Sequence, residues 1–150
     1  MVIQRLQTLY LILAIVMVSV FFYVPFGYTT VADVADGVSV LEPLRAGQFT
    51  GLVIPMALTL ALMVVAIFMF KKMPMQKLMV LVSALLTVVS MGVVVYVMVS
   101  GFSDTNPQVT MTSVWGGGGL LLVGALIAQL AAYNGISSDQ RLLRSYDRLR

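Results

Sequence analysis

The residues best suited to chemistry are a row of hydroxyls, Ser83, Thr87 and Ser90, and a group of acids, Asp33, Asp36 and Glu42. Spacings of four and three put the hydroxyls on one face of a helix. Such a face could line a wet path for a neutral solute, with Ser19, Thr59, Tyr96 and Gln129 as the candidates to complete it. It serves packing equally well, because each hydroxyl can bond a carbonyl one turn back or reach a neighbouring helix. Gln129 is expected near the inner end of its apolar stretch, within reach of lipid headgroups or of a cavity. The acids could hold a cation, although flexible surface carboxylates are the ordinary case. Met17, Met63, Met91 and Met98 read as adaptable apolar filler, since a soft-metal path needs clustered thioethers and usually His or Cys.

The sequence has no cysteine and no histidine, which removes disulfides, thiolate metal sites, thiol redox chemistry and the commonest proton shuttle. No catalytic, cofactor-binding or metal-binding residue is assigned and no cofactor is expected. The chain reads as a non-enzyme.

The elements that must carry these side chains are dominated by four stretches without any Asp, Glu, Lys, Arg or His: Leu6 to Val24, Leu52 to Phe70, Leu78 to Val99 and Val114 to Tyr133. A hydrocarbon core about 30 Å thick needs about 20 helical residues at 1.5 Å each, so each stretch is long enough to cross it. With 60% hydrophobic and 10% charged residues, a water-soluble fold would have a largely apolar surface. The expected fold class is an all-α membrane protein, a four-helix transmembrane bundle. Its helices are expected at about 4–24, 51–71, 76–100 and 113–134 within a unit covering 1–136, followed by a cytoplasmic tail at 137–150. The first stretch is expected to be retained, because no small-x-small cleavage site follows it at Val24-Pro25-Phe26-Gly27.

Charge sets the expected orientation. Arg5, Lys71, Lys72, Lys77, Arg141, Arg144, Arg148 and Arg150 all fall on one side of the stretches, against Arg45 alone with Asp33, Asp36, Glu42 and Asp104 on the other. The positive-inside rule then places both termini in the cytoplasm. The net charge of +3 fits this role and is not read as nucleic-acid binding.

Between the second and third stretches, Lys71 to Gln76 is short enough to force an antiparallel helical pair, with Pro74 as a sharp stop. Pro55 is expected within the first turns of its helix. The external segment from Pro25 to Thr50 alternates in character and carries Asp36-Gly37, which favours a tight primed turn; a short β-hairpin is expected there. Gly101 to Ser113 reads as a turn-rich connection.

Two surfaces look built for contact. Gly124, Ala128 and Ala132 place a small residue every fourth position, a seam at which helices approach closely because lipid supplies no hydrophobic drive between them. The seam fits internal packing, a second copy, or another membrane subunit. It is preceded by Trp115, a natural interfacial anchor, and by Gly116 to Gly119. The tail, capped by Ser138, puts Leu142, Leu143, Tyr146 and Leu149 on one side and its arginines on the other, suiting an anionic leaflet or a protein partner.

The two ends carry the most specific-looking residues: Ile3-Gln4-Arg5-Leu6-Gln7-Thr8-Leu9-Tyr10-Leu11 and Leu143-Arg144-Ser145-Tyr146-Asp147-Arg148-Leu149-Arg150. They resemble the terminal signatures of an uncharacterised family, a domain of unknown function found as small four-span inner-membrane proteins of Gram-negative bacteria. That resemblance implies four spans with both termini inside and supplies no reaction or substrate. If the ends meet, Gln4, Arg5, Gln7 and Thr8 could bond Asp147 and Arg148, so Gln4, Arg5, Arg144, Asp147 and Arg148 form the expected partner-binding surface.

The function expected is a non-enzymatic accessory or scaffold subunit of the bacterial inner membrane. Its partners would be the lipid bilayer and either another membrane protein or a second copy of the chain. The competing expectation is a small channel or transporter for a neutral or lipid-like solute.

Overall fold

A computed structural model describes the backbone of residues 2–33, 38–69, 72–100 and 109–147, and the side chains of 6–29, 41–69, 72–100, 114–142 and 145. The chain is mostly helical: α1 (Val2–Phe21), α2 (Thr50–Phe68), α3 (Met73–Ser100) and α4 (Gly119–Asp147). Three strands, β1 (Gly27–Asp33), β2 (Val38–Leu44) and β3 (Val109–Trp115), form one antiparallel sheet in the order β2-β1-β3.

Among the described residues three helical stretches, Thr50–Phe68, Met73–Ser100 and Gly119–Leu142, are long and apolar enough to cross a membrane, which suggests a membrane protein. The expected first span is shorter than its sequence suggested. Its apolar part covers Leu6–Phe21, about 24 Å at 1.5 Å per residue, because the helix stops before Phe22-Tyr23-Val24.

α4 packs extensively against α1 and α3, and α2 against α3, while α1 meets α2 over a smaller area. The pairs run antiparallel. On α1 and α4, Gln7 meets Asp139 while Met17 approaches Gly124; on α3 and α4, Lys77 meets Tyr133 while Thr87 meets Gln129. The start of α1, the α2–α3 connection and the end of α4 therefore share one end of the molecule, and the sheet occupies the other.

The expected hairpin is present as β1 and β2, paired from Gly27↔Leu44 to Asp33↔Val38, with its turn outside the described residues. Pro43 is tolerated because β2 lies at an edge, where one row of N–H groups has no ladder partner to lose. The expected all-α class and the expected turn-rich connection before α4 both need correction. Val109–Trp115 is a strand on the other side of β1, pairing Gly27 with Trp115 and Asp33 with Val109. Its β-branched residues alternate at Thr110, Thr112 and Val114, which suits a pleated surface. The fourth helix accordingly starts at Gly119 and not near 113, and it runs unbroken to Asp147.

The sheet grows out of the helix ends. Phe26 N–H donates to Leu44 C=O at 3.0 Å, Gly116 N–H to Phe26 C=O at 2.8 Å and Gly118 N–H to Pro25 C=O at 3.2 Å, extending the ladder to the mouths of α1 and α4. A Cβ at Gly116 or Gly118 would lie 2.8 or 2.7 Å from the Pro25 carbonyl oxygen, so backbone fills the space a side chain would need. Beneath this junction the Phe26 ring is stacked on Phe21 at 6.1 Å and tilted against Phe49 at 5.7 Å. These rings cap a core of Ala14, Val18, Met56, Met63, Leu122 and Ala125.

Pro55 falls within the first turns of its helix as expected, whereas Pro74 does not end one. Pro74 is the second residue of α3, where no intrahelical N–H bond is needed, so it starts the helix instead of ending one. Pro55 is the sixth residue of α2, past the first turn; its carbonyl accepts the Thr59 hydroxyl at 2.8 Å.

Candidate functional site

The polar side chains gather in two places, one in the interior among α2, α3 and α4 and one where α1 meets the end of α4. In the interior cluster Gln129 is fully buried. Its Nε2 donates to Thr87 Oγ1 at 3.0 Å and to Met63 Sδ at 3.4 Å, tying three helices through one amide. Thr87 Oγ1 lies 3.0 Å from the Ser83 carbonyl oxygen and 3.1 Å from Gln129 Oε1, and its single proton serves one of them at a time. Gln129 stands ten residues into α4, about 15 Å from the helix start. It is therefore well inside the helical interior and not near an end as the sequence suggested. The difference follows from the helix beginning at Gly119 and continuing past Tyr133.

The hydroxyl row on α3 is buried as one face, and it is satisfied locally. Ser83 Oγ donates to Val80 C=O at 2.8 Å and Ser90 Oγ to Leu86 C=O at 2.9 Å. Among the described residues every fully buried side-chain nitrogen and oxygen has a hydrogen-bond partner. An unpartnered amide or hydroxyl in a low-dielectric interior costs about 1–3 kcal/mol, so this satisfaction is what lets polar groups sit there.

At the other cluster Gln7 Nε2 donates to Asp139 Oδ2 at 2.5 Å, with both side chains buried. Gly135, one turn before Asp139, makes the approach feasible: a Cβ there would lie 2.9 Å from Gln7 Cγ. Two residues before Gly135, Tyr133 carries Lys77 Nζ 4.8 Å from its ring centroid, a cation–π contact between α4 and α3. Arg141 and Lys72 are exposed at the same end.

Of the residues expected to join the chain's two ends, Gln7 does reach α4, where its partner is Asp139, eight residues before Asp147. Gln4, Arg5, Arg144 and Asp147 lie in the terminal turns of α1 and α4 with their side chains outside the described residues, and Arg148 lies wholly outside them. Ser138 does not cap a helix. It lies inside α4, and its hydroxyl bonds the Asn134 carbonyl at 3.0 Å.

The small-residue seam faces α1. Ala128 and Ala132 are buried, and a Cβ at Gly124 would meet Met17 Sδ at 2.9 Å. Within this chain the seam thus serves internal packing. The methionines act as filler: Met63 and Met98 are buried in the main core, with Met17 and Met91 packed against it. The acids are spread out. Asp33 pairs with Val38, and Glu42 lies four residues further along β2, about 13 Å away at 3.3 Å per residue. Asp36 lies outside the described residues. Among the described residues no three His, Cys, Asp or Glu side chains are grouped to hold a metal.

Sequence reasoning missed Gln7–Asp139 because it sought the tail's partner at Asp147. The available signal was Gly135, which stands one turn before Asp139 on the same face and bares the backbone there. The family profile described as a domain of unknown function, DUF4293, matches residues 3–149, and the chain belongs to that family. No curated protein matches it.

Proposed function

We propose that this member of DUF4293 is a non-enzymatic scaffold or accessory subunit of the bacterial inner membrane, a four-helix bundle that crosses it four times with both termini in the cytoplasm. The observation that carries the reading is the inverted distribution of its side chains. Polar Gln129, Thr87, Ser83, Ser90 and Thr59 are inside, while Leu, Ile and Val face out from every helix. In water, exposed apolar area on that scale would drive association; in hydrocarbon it is the stable arrangement.

α1 shares the pattern. It buries Leu11, Ala14, Val18 and Phe21 on one face and exposes Leu9, Ile12, Leu13, Val16 and Val20 on the other. An outward apolar face of that extent supports a fourth span. Counted from Val2 the helix is 20 residues long, about 30 Å.

Exposed aromatic residues mark the sheet-side boundary: Tyr23, Tyr96 and Trp115, at 77%, 71% and 59% exposure. Lys77 and Tyr133 mark the opposite one. From Lys77 to Tyr96 along α3 is 19 residues, about 28 Å, close to the thickness of the hydrocarbon core. The basic end then faces the cytoplasm and the sheet the periplasm, in keeping with the positive-inside rule.

A scaffold role follows from the way the polar groups are used. Gln129, Thr87, Ser83 and Gln7 are committed to bonds between or within helices, which fix helix register. Arg141 and Lys72, exposed at the same end, are available to a partner or an anionic headgroup. The test is purification in a native-lipid polymer without detergent, followed by native mass spectrometry. A stoichiometric partner chain or a second copy is expected; an isolated monomer with solute flux after reconstitution would favour the channel reading instead.

A further inference from the structure

We propose that Lys77 and Arg141, with the hydroxyl of Tyr133, hold the phosphate of one anionic phospholipid from the cytoplasmic leaflet, at the outer seam between α3 and α4. The inference rests on the membrane placement and orientation proposed above. Lys77 Nζ stands 4.8 Å from the Tyr133 ring centroid, which ties a half-buried cation on α3 to one spot on α4. Arg141 is exposed on the same side of α4, eight residues and about 12 Å beyond Tyr133.

The antiparallel run of the two helices turns these cations toward each other. Cα–Cβ bonds tilt toward the N-terminus of their helix. The N-terminus of α3 lies at the cytoplasmic end, so Lys77 leans outward; that of α4 lies at the sheet end, so Arg141 leans back toward the membrane. Both heads converge on the layer just outside the hydrocarbon, the headgroup layer. There a guanidinium forks onto phosphate oxygens and an ammonium adds a point charge.

Two observations choose the occupant. Among the described side chains at this end the one carboxylate, Asp139, is buried and bonded to Gln7, so the exposed charge is cationic and its complement is an anion. The cations also adjoin the apolar band: Leu81, one turn from Lys77, and Leu130, one turn before Tyr133, are both exposed. An amphiphile with a phosphate at the cations and acyl chains along these leucines matches both features, whereas a soluble acidic partner matches only the charge. Basic pockets between spanning helices on the cytoplasmic side are where anionic headgroups bind.

The full-length protein would be reconstituted in nanodiscs of equal phosphatidylglycerol and phosphatidylcholine, and its first retained lipid identified by native mass spectrometry. Phosphatidylglycerol is expected to be favoured, and Lys77→Gln and Arg141→Gln are each expected to cut that preference about fivefold, the weight of one interfacial cation. Arg45→Gln, the same charge change at the sheet end, and Lys72→Gln, exposed five residues before Lys77, are expected to leave it nearly unchanged. Circular dichroism shows that each variant is folded, and either site variant suffices. Inorganic phosphate added to the buffer is expected to leave the preference intact; displacement of the lipid by it would overturn the lipid assignment in favour of a soluble phosphate. Equal losses at Lys72 and Lys77 would overturn the site in favour of a diffuse basic surface. Retention of both lipids without preference would overturn the site and leave the membrane placement standing, and a co-purifying chain lost in Lys77→Gln would then give the cations to a protein. Failure of the chain to enter the discs would bring down the placement itself, and the site with it.

Discussion

Gln7 and Asp139, 132 positions apart in sequence, are joined by an amide-to-carboxylate hydrogen bond of 2.5 Å that closes the first turns of α1 onto the last turns of α4. The bond depends on the bare backbone at Gly135. Gly135→Ala places a methyl 2.9 Å from Gln7 Cγ, and the displaced amide loses its geometry to Asp139. Overpacking of this kind costs about 1–3 kcal/mol. Unfolding in mixed micelles by dodecyl sulfate is expected to show that loss, with Gln7→Ala in the Gly135→Ala background costing less than Gln7→Ala alone. Strict additivity would contradict the contact.

The interior amide predicts an asymmetric cycle. Thr87→Val leaves the buried Gln129 amide with the Met63 sulfur, a weak acceptor, in place of the Thr87 hydroxyl, and is expected to destabilise by about 1 kcal/mol. Adding Gln129→Leu removes the orphaned group, so the double variant is expected to be more stable than Thr87→Val alone. The coupling between the two positions is expected near the 0.6 kcal/mol typical of interhelical bonds in lipid.

The glycine run divides by position. Gly116→Ala and Gly118→Ala drive a Cβ into the Pro25 carbonyl and are expected to loosen the junction between the sheet and α4, each lowering stability by about 1–3 kcal/mol. Gly117→Ala, with nothing within 4 Å, is expected to be neutral. Equal effects at 116 and 117 would contradict the backbone contact. Thermal unfolding followed by circular dichroism reads the difference.

These positions also show where sequence reading reached and where it stopped. Charge-free length is a local property, so α2 and α3 were legible almost residue by residue, and the β1–β2 pairing followed from the Asp36-Gly37 turn signal. β3 was hidden because its partner, β1, lies some eighty residues away; its alternation is visible at Thr110, Thr112 and Val114, yet nothing local distinguishes a paired strand from an extended connection. The start of α4 moved for the same reason, since Trp115 and the glycines belong to the sheet junction. Gln129 moved with it, from an expected helix end to the interior. Contact between the chain's ends was foreseeable from their polarity, but helix register was not, so Gln7 meets Asp139 and not the Asp147 expected for it.

The central claim is that all four helices, α1 included, lie in the membrane with both termini on the cytoplasmic side, and the absence of cysteine makes single-cysteine labelling decisive. Leu41→Cys on β2, Val16→Cys on the outward face of α1 and Ser145→Cys near the end of α4 each place one exposed thiol. With a membrane-impermeant maleimide, Leu41→Cys is expected to label in cells whose inner membrane is intact, Ser145→Cys only once that membrane is permeabilised, and Val16→Cys in neither state. Labelling of Ser145→Cys in intact cells, or ready labelling of Val16→Cys, would contradict the account.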